Sequence, residues 1–150
     1  MTELRCAAGD ELTAPELYAV LRLRVDVFVV EQDAPYPELD GRDLLPDTLH
    51  LWSPPTGEPL AYLRILADPD GVRRIGRVCT TKAARGTGLG RLLMTEAMAR
   101  IGDAEAVLDA QTYARDFYAR FGFVAEGEPF DEDGIEHITM RRPPQRERIG

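Results

Sequence analysis

The chain has 150 residues, 44% hydrophobic and 29% charged, with net charge -8 from 26 acidic and 18 basic side chains. That length suits one domain and buries about 68–70% of the unfolded surface, so the core needs no metal or disulfide staple. An acidic balance argues against nucleic-acid binding, which needs an excess of base to neutralise phosphate; it suits a cationic small substrate and, equally, plain solubility.

Leu4 to Ala8 reads as a short strand. Thr13-Ala-Pro-Glu16 is a capping box, and Leu17, Leu21, Val25 and Phe28 recur at helical spacing, which predicts a helix over 14–28. Three prolines between Asp33 and Asp47 forbid a regular helix there, and a loop that long is often functional. Thr48 to Trp52 and Pro59 to Leu66 read as strands joined by a turn-rich segment. After the turn Asp68-Pro-Asp-Gly71, Arg74 to Thr80 reads as a further strand.

Leu89, Leu92, Leu93, Met94, Ala97 and Ile101 predict a second helix, ended by Gly102. Ala106 to Ala110 is a short apolar strand. Tyr113, Phe117 and Phe121 sit four apart and predict a third helix, closed by Gly122. Phe123 to Glu126 and Ile135 to Arg141 form a final hairpin around Asp131-Glu-Asp-Gly134. Residues 1–141 are expected to form a single domain and 142–150 a flexible, proline-broken tail. Strands outnumber helices and are mostly hairpin-connected, so the class is α+β.

Cys6 and Cys79 form no CxxC pattern, so neither a zinc site nor a disulfide framework is expected. Free thiols suit a reducing cytoplasm. The first residues lack the basic-then-apolar order of a signal peptide, and no apolar run approaches the roughly 18–20 residues of a membrane span.

The most informative stretch runs from Arg77 to Leu93, where a strand enters a glycine-rich turn that opens a helix. Glycine lets the backbone bend tightly and approach a ligand, and the first amides of a helix lack intrahelical partners. Such a place binds phosphate, and Arg85 and Arg91 flank it with fixed charge. A Walker loop is absent. The dinucleotide fingerprint fails because Arg91 and Leu93 stand where its third glycine is required. What fits is R-x-x-G-x-G, as Arg85-Gly-Thr-Gly88-Leu-Gly90.

That pattern on a strand-turn-helix resembles the pyrophosphate motif of the GNAT superfamily of acetyltransferases. Phe117-Tyr-Ala-Arg-Phe-Gly-Phe123 is similar to the family's second signature. Three further blocks resemble the ElaA-like subfamily: Arg24 to Gln32 with Pro35, Tyr36 and Asp40; Asp109 to Tyr113; and Phe130 to Ile138. The resemblance implies a mixed, mostly antiparallel twisted sheet of about seven strands flanked by helices and splayed at two central parallel strands. It implies acetyl-CoA as donor, a primary amine as acceptor, direct attack in a ternary complex, and no acyl-enzyme.

In that picture Gly86, Thr87, Gly88, Leu89, Gly90 and Arg91 hold the pyrophosphate with Arg85 beside them. Val78, Cys79 and Thr80 pair with the pantetheine arm through their backbone, and Gln111 borders its slot. The Cys79 thiol has no activating base in any signature and reads as core. Tyr118 matches the tyrosine the family places beside the sulfur.

An alkylamine near pKa 10.4 is neutral in roughly one part per thousand at pH 7, a cost of about 4 kcal/mol, so a base or a desolvating pocket is needed. Glu31 is the expected base, with Asp40, His50, Glu136 and His137 as further candidates in the acceptor site. Each histidine also reads as an ordinary surface or packed strand residue, and Glu136 and His137 alternate, so at most one faces a cleft. Other expected features are no metal, no nucleic-acid or membrane partner, and a monomer or homodimer. The alternatives are an enzyme like the acyl-homoserine-lactone synthases, whose Arg…Val-Phe…Glu block and Asp-rich loop are similar to Arg24, Val27, Phe28, Glu31, Asp40 and Asp43, and a non-catalytic acyl-CoA-binding module.

Overall fold

The computed structural model describes residues 3–145. The elements are β1 (Arg5–Ala8), α1 (Ala14–Arg24) with a π-helical extension (Val25–Glu31), β2 (Leu49–Ser53), β3 (Ala61–Ala67) and β4 (Arg73–Thr80). Then come α2 (Leu89–Ile101), β5 (Ala106–Gln111), α3 (Arg115–Ala119), β6 (Val124–Glu132) and β7 (Ile135–Arg142). The seven strands form one sheet in the order β1-β2-β3-β4-β5-β7-β6, antiparallel except for the parallel pair β4 and β5. Among the described residues no helix is long and apolar enough to cross a membrane.

Strand alternation gives the sheet two apolar faces. Leu51, Leu63 and Ile75 pack with Leu93, Met94 and Ala97 of α2 and with Phe123, forming the larger core. Trp52, Tyr62 and Cys79 pack on the opposite face against Val20, Leu23 and Val27 of α1 and its extension. Ile75 and Cys79 fall on different faces although four residues separate them. The register jumps from Tyr62↔Cys79 to Arg64↔Gly76, so one extra residue bulges from β4 and reverses the alternation. Arg77 sits in that bulge with φ of 55°, a strained conformation for a residue with a Cβ.

The parallel pairing of β4 and β5 is short. Arg73 pairs with Ala106 and Arg74 with Val107, and the strands then part. β5 continues through Gln111 by pairing with β7 alone. The separation leaves the second half of β4 with one edge open, which is the slot that the family resemblance implies.

Helix 14–28 proves longer than expected. The capping box forms as read, with Glu16 N–H donating to Thr13 Oγ1 at 3.2 Å and Thr13 N–H to Glu16 Oε1 at 3.0 Å. Past Arg24 the turns widen: Gln32 N–H reaches Val27 O at 3.3 Å and Ala34 N–H reaches Val29 O at 3.1 Å. This carries Glu31 to the cleft.

The third helix is shorter than expected, a 3-10 turn (Thr112–Ala114) followed by one α-turn. Tyr113 leaves the apolar stripe and is 84% exposed, while Tyr118 joins the core. β7 runs through Arg142, one residue past the expected strand end at Arg141, and Arg142 Nη2 donates to Gly102 O at 2.8 Å and also reaches Ala104 O beyond α2. Residues 146–150 of the expected tail lie outside the described residues.

Candidate active site

A cleft of about 1300 Å³ follows the split between β4 and β5. Its walls include Glu31, Tyr36, Arg77, Val78, Cys79, Thr80, all of 84–91, Gln111, Tyr118 and His137. Asp40, His50 and Glu136 do not line it.

At one end lies the glycine turn. Gly86 and Gly88 have φ of 81° and 88°, and nothing lies within 4 Å of where their Cβ atoms would be. Both glycines therefore turn the chain where other residues would be strained, and the concave side stays open. The first helical bond of α2 runs from Leu92 N–H to Gly88 O at 3.0 Å. Among the described residues, the N–H groups of Gly86, Gly88, Leu89, Gly90 and Arg91 meet no backbone acceptor. Thr87 differs, since its amide donates to Ala84 O at 3.3 Å and its hydroxyl to the same oxygen at 2.5 Å. The unpaired amides and the helix dipole suit an anion at this end.

Arg85 closes over the turn. Its Nη1 lies 2.6 Å from Glu31 Oε2 and its Nη2 2.8 Å from Glu31 Oε1. The hydrogen bond to Arg85 lowers the Glu31 carboxyl below its ordinary value, and the same bond raises the guanidinium. The residue expected as base and the arginine expected beside the diphosphate thus hold each other.

Tyr118 lines the cleft from α3, with Phe117 edge-on at 5.1 Å. Burial pushes its hydroxyl pKa up and favours the protonated form. Burial also pushes the Cys79 thiol up, and no base is bonded to it among the described residues. His137 lines the cleft from β7. Its Nδ1 lies 2.8 Å from Ile135 O, a carbonyl that can only accept, so this contact favours the tautomer of the neutral ring with the proton on Nδ1 and the lone pair on Nε2. Glu132 Oε2 stands 4.0 Å from that Nε2. Glu136 points the other way and accepts from Thr112 Oγ1 at 2.9 Å.

The remaining candidates belong to a largely buried ion network beside the cleft, with His50 inside it and Asp40 at its exposed edge. Arg24 is fully buried; its Nε donates to Glu38 Oε2 and its Nη1 to Asp43 Oδ1, each at 2.6 Å. Arg64 bonds Asp40 through both terminal nitrogens and Asp43 at 3.0 Å. Burial works against the charged forms here, yet the arginine bonds outweigh it and leave Asp40 and Asp43 below the usual carboxylate range. Arg77 donates to Glu38 Oε2 at 2.8 Å and to Glu38 O at 3.1 Å, and its guanidinium lies over the Tyr36 ring.

His50 is sealed inside this network: Nε2 donates to Asp43 O at 2.8 Å, and the Tyr62 hydroxyl donates to Nδ1 at 2.6 Å. Burial lowers its pKa and keeps it neutral. Glu38, Arg64 and Arg77 were missed in the sequence because isolated charges in a polar, proline-rich loop and on strands read as solvated.

The sequence profile of the acetyltransferase (GNAT) domain matches residues 41–143. A UPF0039 protein of Mycobacterium tuberculosis is 49% identical over 148 residues, 95% of each chain. The crystal structure of an acyl-CoA N-acyltransferase from Pseudomonas aeruginosa is similar with a TM-score of 0.86 at 48% identity, covering 95% of this chain and 99% of that one. Escherichia coli ElaA gives a TM-score of 0.88 at 39% identity, again over 95% and 99%. With its sheet split at a parallel pair, its amide-lined turn and these relatives, the chain belongs to the GNAT family of acetyltransferases, among the ElaA-like and UPF0039 proteins.

Proposed function

We propose that the chain transfers an acetyl group from acetyl-CoA to a primary amine by direct attack within one ternary complex. The observation that carries this reading is the set of unpaired amides of Gly86, Gly88, Leu89, Gly90 and Arg91, opening into the same cleft as Tyr118 and His137. The amides would seat the diphosphate, and the open edge of β4 at Val78 to Thr80 would pair with the pantetheine arm, with Gln111 across the slot.

The amine nitrogen attacks the thioester carbonyl, the new C–N bond forms, and the C–S bond breaks to release CoA thiolate. His137 Nε2 takes the amine proton, and Glu132 stabilises the imidazolium that results. Glu31, the base expected from the sequence, is the competing assignment; its lowered pKa weakens it as a base while Arg85 holds it. Tyr118 donates a hydrogen bond to the leaving sulfur. An ordinary tyrosine near 10 is already a weaker acid than a thiol near 8.5, by about 2 kcal/mol, and burial widens that gap. Hydrogen bonding to the developing thiolate therefore suits Tyr118 better than early proton transfer.

Direct transfer is favoured because Cys79, the cysteine in the cleft wall, is buried with a raised pKa and no activating base. Asp40 and His50 shape the acceptor wall from beside the cleft, through Arg64 and Asp43, while Glu136 stands outside it. The test is release of free thiol from acetyl-CoA with a panel of primary amines. Amine-dependent release that follows N-acetyl product supports the reading; tight CoA binding without release for any amine points to a binding module instead.

A further inference from the structure

Six arginines line the cleft: Arg64, Arg74, Arg77, Arg85, Arg91 and Arg120. Four of them are matched by acids, Arg64 by Asp40 and Asp43, Arg74 by Asp68, Arg77 by Glu38 and Arg85 by Glu31. Among the described residues Arg91 and Arg120 have neither a salt bridge nor a side-chain hydrogen bond, and both are exposed. The elements that carry them are packed together. Arg91 is in the first turn of α2, and that turn rests on α3: a Cβ on Gly90 would lie 3.6 Å from Phe117 Cζ. Arg120 caps α3 three residues after Phe117, on the same helical face.

Peptide amides can seat a diphosphate, but they bring only partial charge. A phosphate monoester carries about 1.5 to 2 negative charges at pH 7 and calls for full cations with fork geometry. We propose that Arg91 and Arg120 bind the ribose 3′-phosphate of CoA and so select free acyl-CoA over donors that lack this group, such as dephospho-CoA or a carrier-bound phosphopantetheine. This rests on the acyl-CoA reading above and goes beyond it by naming the donor class and a residue, Arg120, outside the glycine motif.

Titration calorimetry with CoA and dephospho-CoA tests it, on the wild type, Arg91→Ala, Arg120→Ala and the double variant. The wild type is expected to favour CoA by tenfold or more. Each single variant is expected to reduce that ratio several-fold and the double variant to bring it to about one, and Arg120→Ala, which lies outside the glycine turn, is expected to leave dephospho-CoA affinity unchanged. Equal binding of the two ligands by the wild type overturns this proposal alone, as does a loss that falls equally on both ligands in Arg120→Ala. Failure of the wild type to bind either ligand overturns the acyl-CoA reading and this proposal with it.

Discussion

Arg85 and Glu31 are joined oxygen to nitrogen at 2.6 and 2.8 Å, across the mouth of the cleft and 54 residues apart in sequence. On the proposed reading, the diphosphate of a donor bound on the neighbouring amides would compete with Glu31 for that guanidinium. An exposed pair of this kind is worth roughly 0.2–1 kcal/mol, so Glu31→Gln is expected to tighten CoA binding by up to about fivefold. Calorimetry reads this directly, and weaker CoA binding in the variant would remove the competition. If His137 is the base, kcat in Glu31→Gln stays near that of the wild type, and His137→Gln loses on the order of 10²-fold.

Tyr118→Phe removes the hydroxyl and keeps the ring against Phe117. Steady-state kinetics are expected to show kcat falling on the order of 10²-fold with the donor KM nearly unchanged, since the contact matters when charge develops on sulfur. Wild-type turnover would reduce Tyr118 to a core residue.

The ion network beside the cleft gives a stability expectation. Arg24→Met removes the cation that Glu38 and Asp43 share and leaves each with one arginine, Arg77 and Arg64 respectively. The loss in urea unfolding should be about 1.5–3 kcal/mol, that of hydrogen bonds to charged groups lost while a second arginine remains. A loss below about 1 kcal/mol would show that the network contributes little to holding residues 38–43 in place.

His50 gives the pH dependence its sign. Its folded pKa is lowered, chiefly by burial, with Asp43 and Tyr62 bonded to it and Arg24 and Arg64 nearby. The stability it contributes is complete above the unfolded value near 6.5 and is lost as pH falls below it, by up to about 1.4 kcal/mol per unit. The lowered carboxyls of Glu31, Asp40 and Asp43 lose their contribution only below about pH 4, so the window between isolates the histidine. Urea unfolding at pH 7.5 and 5.5 is expected to show a larger drop for the wild type than for His50→Gln. Equal drops would contradict a buried neutral His50.

Much of this was legible in the sequence where physics is local. The Thr13–Glu16 capping box, the start of α2 after Gly88 and its end at Gly102 depend on neighbours a few residues away. The π-helical turns at Val25–Glu31 were not, because the apolar spacing of Val25 and Phe28 reads as ordinary helix. β6 was cut short at Glu126 in the sequence because Gly127 to Pro129 interrupt the alternation. The strand passes them with a register shift and resumes at Phe130↔His137, placing that aromatic on the His137 ring. The charges of Glu38 and Asp43 were hidden for a different reason. Their partners Arg24, Arg64 and Arg77 come from three other elements, and only tertiary packing brings them together.

The most direct measurement is an amide NMR titration of the nitrogen-labelled protein with CoA. The amides of Gly86, Gly88, Leu89, Gly90 and Arg91 are expected to shift most, with Thr87 shifting less because its N–H is already bonded to Ala84. Saturable binding that leaves these five amides unmoved would contradict an anion seat at the start of α2.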